Sequence, residues 1–85
     1  MMIAYNFYVL NEESEFPYCI YAFTYKTDEE LTLEDLVEIV KNYLEKIKGT
    51  EKFSRYNNKI WLFNISPGRF SNFVELGRIR VWSLW

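Results

Sequence analysis

No stretch of this sequence constrains the fold as much as Thr32 to Gly49, TLEDLVEIVKNYLEKIKG. Leu33, Leu36, Val37, Val40, Leu44 and Ile47 recur at the i, i+3, i+4, i+7 spacing of one helical face, and Ile39 and Tyr43 widen it. Thr32 can accept the amide of Asp35 while Asp35 reaches back to the amide of Thr32, a relative of the capping box. Leu31 and Leu36 occupy the two positions of a hydrophobic staple. At the far end Lys46 and Lys48 suit the negative end of the helix dipole, and Gly49 supplies a left-handed stop. A helix of this length is marginal alone in water, so its stability must come from burying the apolar face. It needs a sheet to lie on.

The rest of the chain offers strands. Ile3 to Leu10 alternates Ile3, Tyr5, Phe7 and Val9 with Ala4, Asn6, Tyr8 and Leu10, and Asn6 marks the second set as the wetter face. A polar loop, NEESEFP, leads to Tyr18–Lys26, where simple alternation puts Cys19, Tyr21, Phe23 and Tyr25 on one face, with Cys19 as a small core residue. After the helix, Phe53–Tyr56 reads as a short strand turned by Asn57-Asn58. Ile60 to Ile65 is apolar on both faces until Asn64, as expected of a central strand. Ser66-Pro67-Gly68-Arg69 suits a type II turn, RFSNFVEL fits a loop or a ragged strand, and Gly77–Trp85 alternates as a last strand with Arg78, Arg80, Trp82 and Leu84 on one face. The fold class expected is α+β over a single domain, residues 1–85. One helix packs on a four- or five-stranded sheet in a two-layer sandwich, in the order strand-strand-helix-strand-strand. The sheet is either antiparallel or β-grasp-like and mixed, with the terminal strands side by side in parallel.

In 85 residues each large side chain counts, and an aromatic share of 20% offsets the small size because a buried ring removes roughly 150–250 Å² from water. No apolar run approaches the roughly 20 residues of a membrane helix. MMIAYNFYVL lacks a positive n-region, so no secretory signal is expected. The lone Cys19 rules out an internal disulfide and points to the cytoplasm.

Histidine is absent, which removes the usual neutral-pH general base and the commonest metal ligand. Glycines at 49, 68 and 77 make no phosphate-cradling loop, and no base stands ready to activate Ser or Cys. Glu34 and Glu38, one helical turn apart with Asp35 beside them, are the remaining candidates for acid–base or cation chemistry, but a solvated helix face explains them more simply. The expectation is therefore no enzyme, no cofactor and no metal.

Charge is the most unusual feature. Residues 1–45 hold ten acids and two bases, a net of −8, whereas residues 46–85 hold two acids and eight bases, a net of +6. Nine acids crowd residues 12–38, with Lys26 the only base among them. Gathered on one surface, Glu29, Glu30, Glu34 and Glu38 would present the spaced negative charge of a nucleic-acid backbone to the basic groove of a nuclease, polymerase or repressor. The size, acidity and lack of catalytic side chains are those of small phage-encoded inhibitors of host defence enzymes, a likeness of character with no shared motif. A non-enzymatic protein-interaction domain, an acidic inhibitor of that kind, is the expected function. The alternative uses the other half of the chain. Arg78, Arg80 and Trp82, with Arg69, Phe70 and Phe73 near them in sequence, interleave guanidinium groups and rings as a module for single-stranded nucleic acid does. Against it stands a pI of about 5.1. Burial of the aromatic surface in a homo-oligomer is a third course.

Overall fold

The computed structural model describes residues 2–12, 15–66 and 77–80, and of Ser66 and residues 77–80 the backbone alone. The elements are β1 (Ile3–Asn11), β2 (Tyr18–Thr27), α1 (Leu33–Lys46), α2 (Glu51–Tyr56), β3 (Ile60–Ser66) and β4 (Gly77–Arg80). It is a small α+β fold. β1 pairs antiparallel with β2 along one side and with β3 along the other, so β2 and β3 run parallel to each other with β1 between them. On the far side of β3 the backbone of β4 pairs antiparallel with Ile60–Phe63. A β-grasp-like arrangement is excluded by this pairing: both edges of β1 are taken by antiparallel neighbours, so no terminal strand can lie parallel beside it.

The crossover explains the helix. A chain leaving β2 must travel back along the sheet before it can enter β3 in the same direction. The 14 residues of α1 span about 21 Å as they make that return, with the apolar stripe turned to the sheet. The expected cap is present: Thr32 Oγ1 accepts from the Asp35 amide at 3.2 Å, and an Asp35 carboxylate oxygen accepts from the Thr32 amide at 3.0 Å. Gly49, at φ +91°, takes the left-handed conformation after the helix ends.

Leu36, Val40 and Leu44 of α1 are buried together with Tyr5, Phe7 and Val9 of β1, Trp61 and Phe63 of β3 and Tyr56 of α2. Trp61 collects the rings. Phe23 and Tyr43 stack at 4.1 Å and both meet Trp61 edge-on at 6.2 Å, while Phe7 stacks on the other side of Phe23 at 4.7 Å. Such ring pairs contribute about 0.5–1.5 kcal/mol each beyond the burial of their area.

Asn6, on the face of β1 away from this core, anchors a chain of side-chain hydrogen bonds across three strands. Thr24 Oγ1 donates to Asn6 Oδ1 at 2.7 Å, Asn6 Nδ2 donates to Asn64 Oδ1 at 2.9 Å, and Tyr21 and Thr24 share a 2.6 Å hydroxyl contact. Asn6 lies directly opposite both Thr24 and Asn64 in the strand register. A slip by one residue would break the chain and turn the core face outward. β3, as a central strand should be, is buried on both faces, Leu62 and Asn64 as well as Trp61 and Phe63.

Three local expectations are corrected. Phe53–Tyr56 is not a strand but part of α2, a second helix where one was expected. Thr50 caps it through the Phe53 amide, and helical spacing turns Phe53 and Tyr56 to the core, where Tyr56 meets Trp61 edge-on at 5.9 Å and its carbonyl accepts from Trp61 Nε1. Asn58, at φ 61°, does take left-handed angles, but between α2 and β3 rather than in a hairpin. In β2 the alternation breaks: Phe7 faces Phe23 while Tyr8 faces Tyr21, which leaves Ala22 as the extra residue of a bulge. Phe23 and Tyr25 therefore share the core side, Tyr21 pairs with Tyr8 on the other face, and Cys19 is exposed rather than a core residue. Leu33, placed on the apolar helix face by its spacing, is 58% exposed because α1 meets the sheet only from Leu36 onward. Pro67 to Leu76, with the proposed turn and ragged strand, and the last strand beyond Arg80 lie outside the described residues.

Two measurements check this packing. Leu44→Ala, at a fully buried position, is expected to cost about 2–5 kcal/mol in denaturant unfolding; a cost under about 1 kcal/mol would contradict the helix placement. Burial raises the Tyr43 phenol above its usual pKa of 10.0, with Tyr56 and Tyr21 adding to the effect. Its neutral form is thus favoured by folding, and that contribution is complete below the unfolded value and lost as the pH climbs through the raised folded value. Tyr43→Phe is expected to flatten the fall in stability above about pH 10, whatever it does to stability at neutral pH.

Candidate functional site

The acidic residues fall into two groups in space. Glu12 and Glu15 flank the β1–β2 connection, while Asp28, Glu29 and Glu30 follow the opposite end of β2, about 30 Å away along a strand of this length. Glu13 lies outside the described residues. The fold does not gather all nine acids. It does join the second group to the start of α1, so that Asp28, Glu29, Glu30, Glu34, Asp35 and Glu38 are all exposed within one turn–helix segment.

This segment is fastened to the sheet. The Glu29 amide donates to Thr27 Oγ1 at 3.2 Å, the Leu31 amide donates to the Tyr5 hydroxyl at 2.9 Å, and the Thr32–Asp35 cap follows at once. Tyr5 is itself buried in β1. The backbone carrying the carboxylates is therefore held at three successive points between β2 and α1. Among the described residues, ion pairs join Lys48 to Glu45 and Arg55 to Glu51; Asp28, Glu29, Glu30, Glu34 and Glu38 take part in neither. Their charge is directed to solvent, close to the positive end of the α1 dipole. Glu34 and Glu38 lie at i, i+4, yet no group of three or more metal-ligating side chains occurs among the described residues.

Clefts open at the two ends of β1, and their rims differ in charge. One, of about 420 Å³, is lined by Ile3, Tyr5, Leu31 and Ile65 with Glu30 beside them. The other, of about 290 Å³, is lined by Val9, Leu10, Asn11 and Ile20 together with Ser54, Arg55 and Lys59. The split between an acidic and a basic half of the sequence thus becomes a difference between two places on the molecule. Arg78 and Arg80 occupy register positions on β4 opposite Leu62 and Ile60, well separated in the sheet order from β2 and the acids that follow it. Trp82, Arg69, Phe70 and Phe73 lie outside the described residues.

The sequence marked Glu29, Glu30, Glu34 and Glu38 by charge density, and the structure brings these four onto one segment. It did not mark Ile3, Leu31 and Ile65, which read as ordinary core positions but wall the cleft next to Glu30. The exposed Leu33 was the available sign, though only the tertiary structure reveals it. No family model, no curated protein and no solved structure matches the chain.

Since these acids join no ion pair among the described residues, neutralising them should cost the fold little. Glu29→Gln, Glu30→Gln and Glu38→Gln are each expected to change unfolding free energy by no more than about 0.5 kcal/mol. A loss of more than about 2 kcal/mol for any of them would mean that the carboxylate is structural.

Proposed function

We propose that this protein is a non-enzymatic protein-interaction domain that uses the Asp28–Glu38 surface to engage a basic partner, and that it acts as an inhibitor by occupying the groove of a nucleic-acid-handling enzyme. The observation that carries this reading is a run of exposed carboxylates, which join no ion pair among the described residues, on backbone fixed at Thr27, Tyr5 and Thr32. Charges on a preformed surface steer encounter and select partners by complementarity without the ordering cost that a floppy loop would incur. Leu33 and Tyr25, both exposed next to the acids in sequence, supply the apolar contact that an interface needs besides charge. A lone, exposed Cys19 and an intracellular partner fit a cytoplasmic setting.

The alternative places the working surface on the C-terminal strand, extended beyond β4 so that Arg78, Arg80 and Trp82 share a face toward single-stranded nucleic acid. What favours it is the position of β4 outside β3 in the sheet order, away from the acids.

Reversal of Glu29, Glu30, Glu34 and Glu38 to Lys separates the two. With the partner captured from source-cell lysate and then purified, reversal is expected to slow association about tenfold or more at low salt, while Arg78→Glu/Arg80→Glu changes it little. The opposite ranking, together with salt-sensitive binding of single-stranded DNA that is lost in Trp82→Ala, would move the function to the C-terminal strand. Circular dichroism of each variant establishes that it is folded.

A further inference from the structure

Cleft and carboxylate coincide at one point of the acidic surface. The walls are aliphatic: Ile3 from β1, Ile65 from β3 and Leu31 from the link into α1, with the buried Tyr5 completing the lining. Tyr5 and Ile65 are directly opposite each other in the β1–β3 register, and the Tyr5 hydroxyl holds the Leu31 amide at 2.9 Å. Three walls are thereby tied to one another. Among the described residues the opening follows from α1 beginning to bury side chains at Leu36 while Leu33, one turn earlier, is 58% exposed, so that the first turn does not cover the end of the core face. At about 420 Å³ the space is in the range of small-ligand sites. The ionised group beside it is Glu30, which is exposed, has no ion-pair partner among the described residues and is followed closely by Glu34.

We infer that this cleft is the anchor pocket for one cationic side chain, arginine or lysine, of the basic partner. The inference rests on the protein-interaction reading above and specifies where that interface is centred. An aliphatic stem lies against Ile3, Leu31 and Ile65 while its charged head reaches the Glu30 carboxylate, the division of labour that long basic side chains adopt at interfaces. A neutral apolar side chain would fill the walls and leave Glu30 unanswered. Among the described residues a simple cation would meet a single carboxylate in the lining, too few ligands to hold it. The occupant that satisfies both parts carries both chemistries.

The test uses the intact protein, labelled for amide NMR, and N-acetyl-arginine amide as the probe, with the uncharged N-acetyl-citrulline amide as its isostere. Arginine is expected to shift Ile3, Tyr5, Leu31 and Ile65 in a saturable way, citrulline to bind at least about fivefold more weakly, and Glu30→Gln to reduce arginine binding by a similar factor. Glu15→Gln, which alters an exposed acid at the opposite end of β2 and outside the Asp28–Glu38 surface, should leave binding unchanged. Shifts spread evenly over Glu12, Glu15 and Glu38, or equal binding of citrulline, would overturn the pocket. Saturable binding of spermidine with the same Glu30 dependence and no response to the arginine probe would also overturn it, by assigning the cleft to free polyamines. The outcomes for pocket and surface are separable: slowed partner association on reversal of the four acids, with no arginine-specific shifts, refutes the pocket and leaves the surface, whereas localised shifts with unchanged association refute the surface and overturn the cleft's role as the partner's anchor, leaving only its affinity for a cationic side chain.

Discussion

Two strands that run the same way on either side of β1 set the terms for everything else in this structure. Because β2 and β3 are both antiparallel to β1, the chain between them has to return along the sheet. That return is made over one face, and an amphipathic helix of 14 residues makes most of it while burying its own apolar stripe. The helix is too short to persist alone in water, and it and the strands bury their apolar faces in one shared core. Trp61, fully buried, sits where the strands, α1 and α2 converge, so its rings and carbonyl contacts tie the crossover to the sheet.

The crossover also determines where charge is displayed. Its first segment, Asp28 to Glu38, is held against the end of the sheet by the Tyr5 hydroxyl and by the helix cap. Local hydrogen bonds that serve to start a helix thus have a second consequence, a fixed array of carboxylates. At the opposite end of β1, Arg55 and Lys59 rim a cleft of the other sign. A molecule polarised in this way orients in the field of a charged partner before contact, at a range set by the Debye length of about 8 Å in physiological salt.

Different parts of this organisation were legible to different degrees. The α1 cap could be read because Thr32 and Asp35 are three residues apart and interact within a single turn. The β1 faces could be read because strict alternation survives from Ile3 to Val9, with Asn6 on the side that forms the hydrogen-bonded chain to Thr24 and Asn64. The faces of β2 could not, since a bulge inserts one residue at Ala22 and inverts every side chain before it relative to those after; nothing in the local sequence YCIYAFTYK fixes where that residue falls. α2 is hidden from the sequence for a related reason. Six residues carry too little periodicity to distinguish a helix from a strand, and the choice is settled by Tyr56 finding Trp61.

Taken alone, the sequence determined what depends on neighbours along the chain: the length and apolar stripe of α1, its cap and its glycine stop, the alternation of β1, the apolar run of β3 and the division of charge. The tertiary structure decided what depends on residues far apart in sequence meeting in space: the antiparallel order that excludes a parallel terminal pair, the bulge that exposes Cys19, and the cleft that Ile3, Leu31 and Ile65 form beside Glu30. The physical reason is the range of the forces involved. Helix caps and side-chain periodicity act over a few residues and are written in order, whereas packing acts between surfaces and is fixed only when a chain of 85 residues has brought its strands and helices into contact.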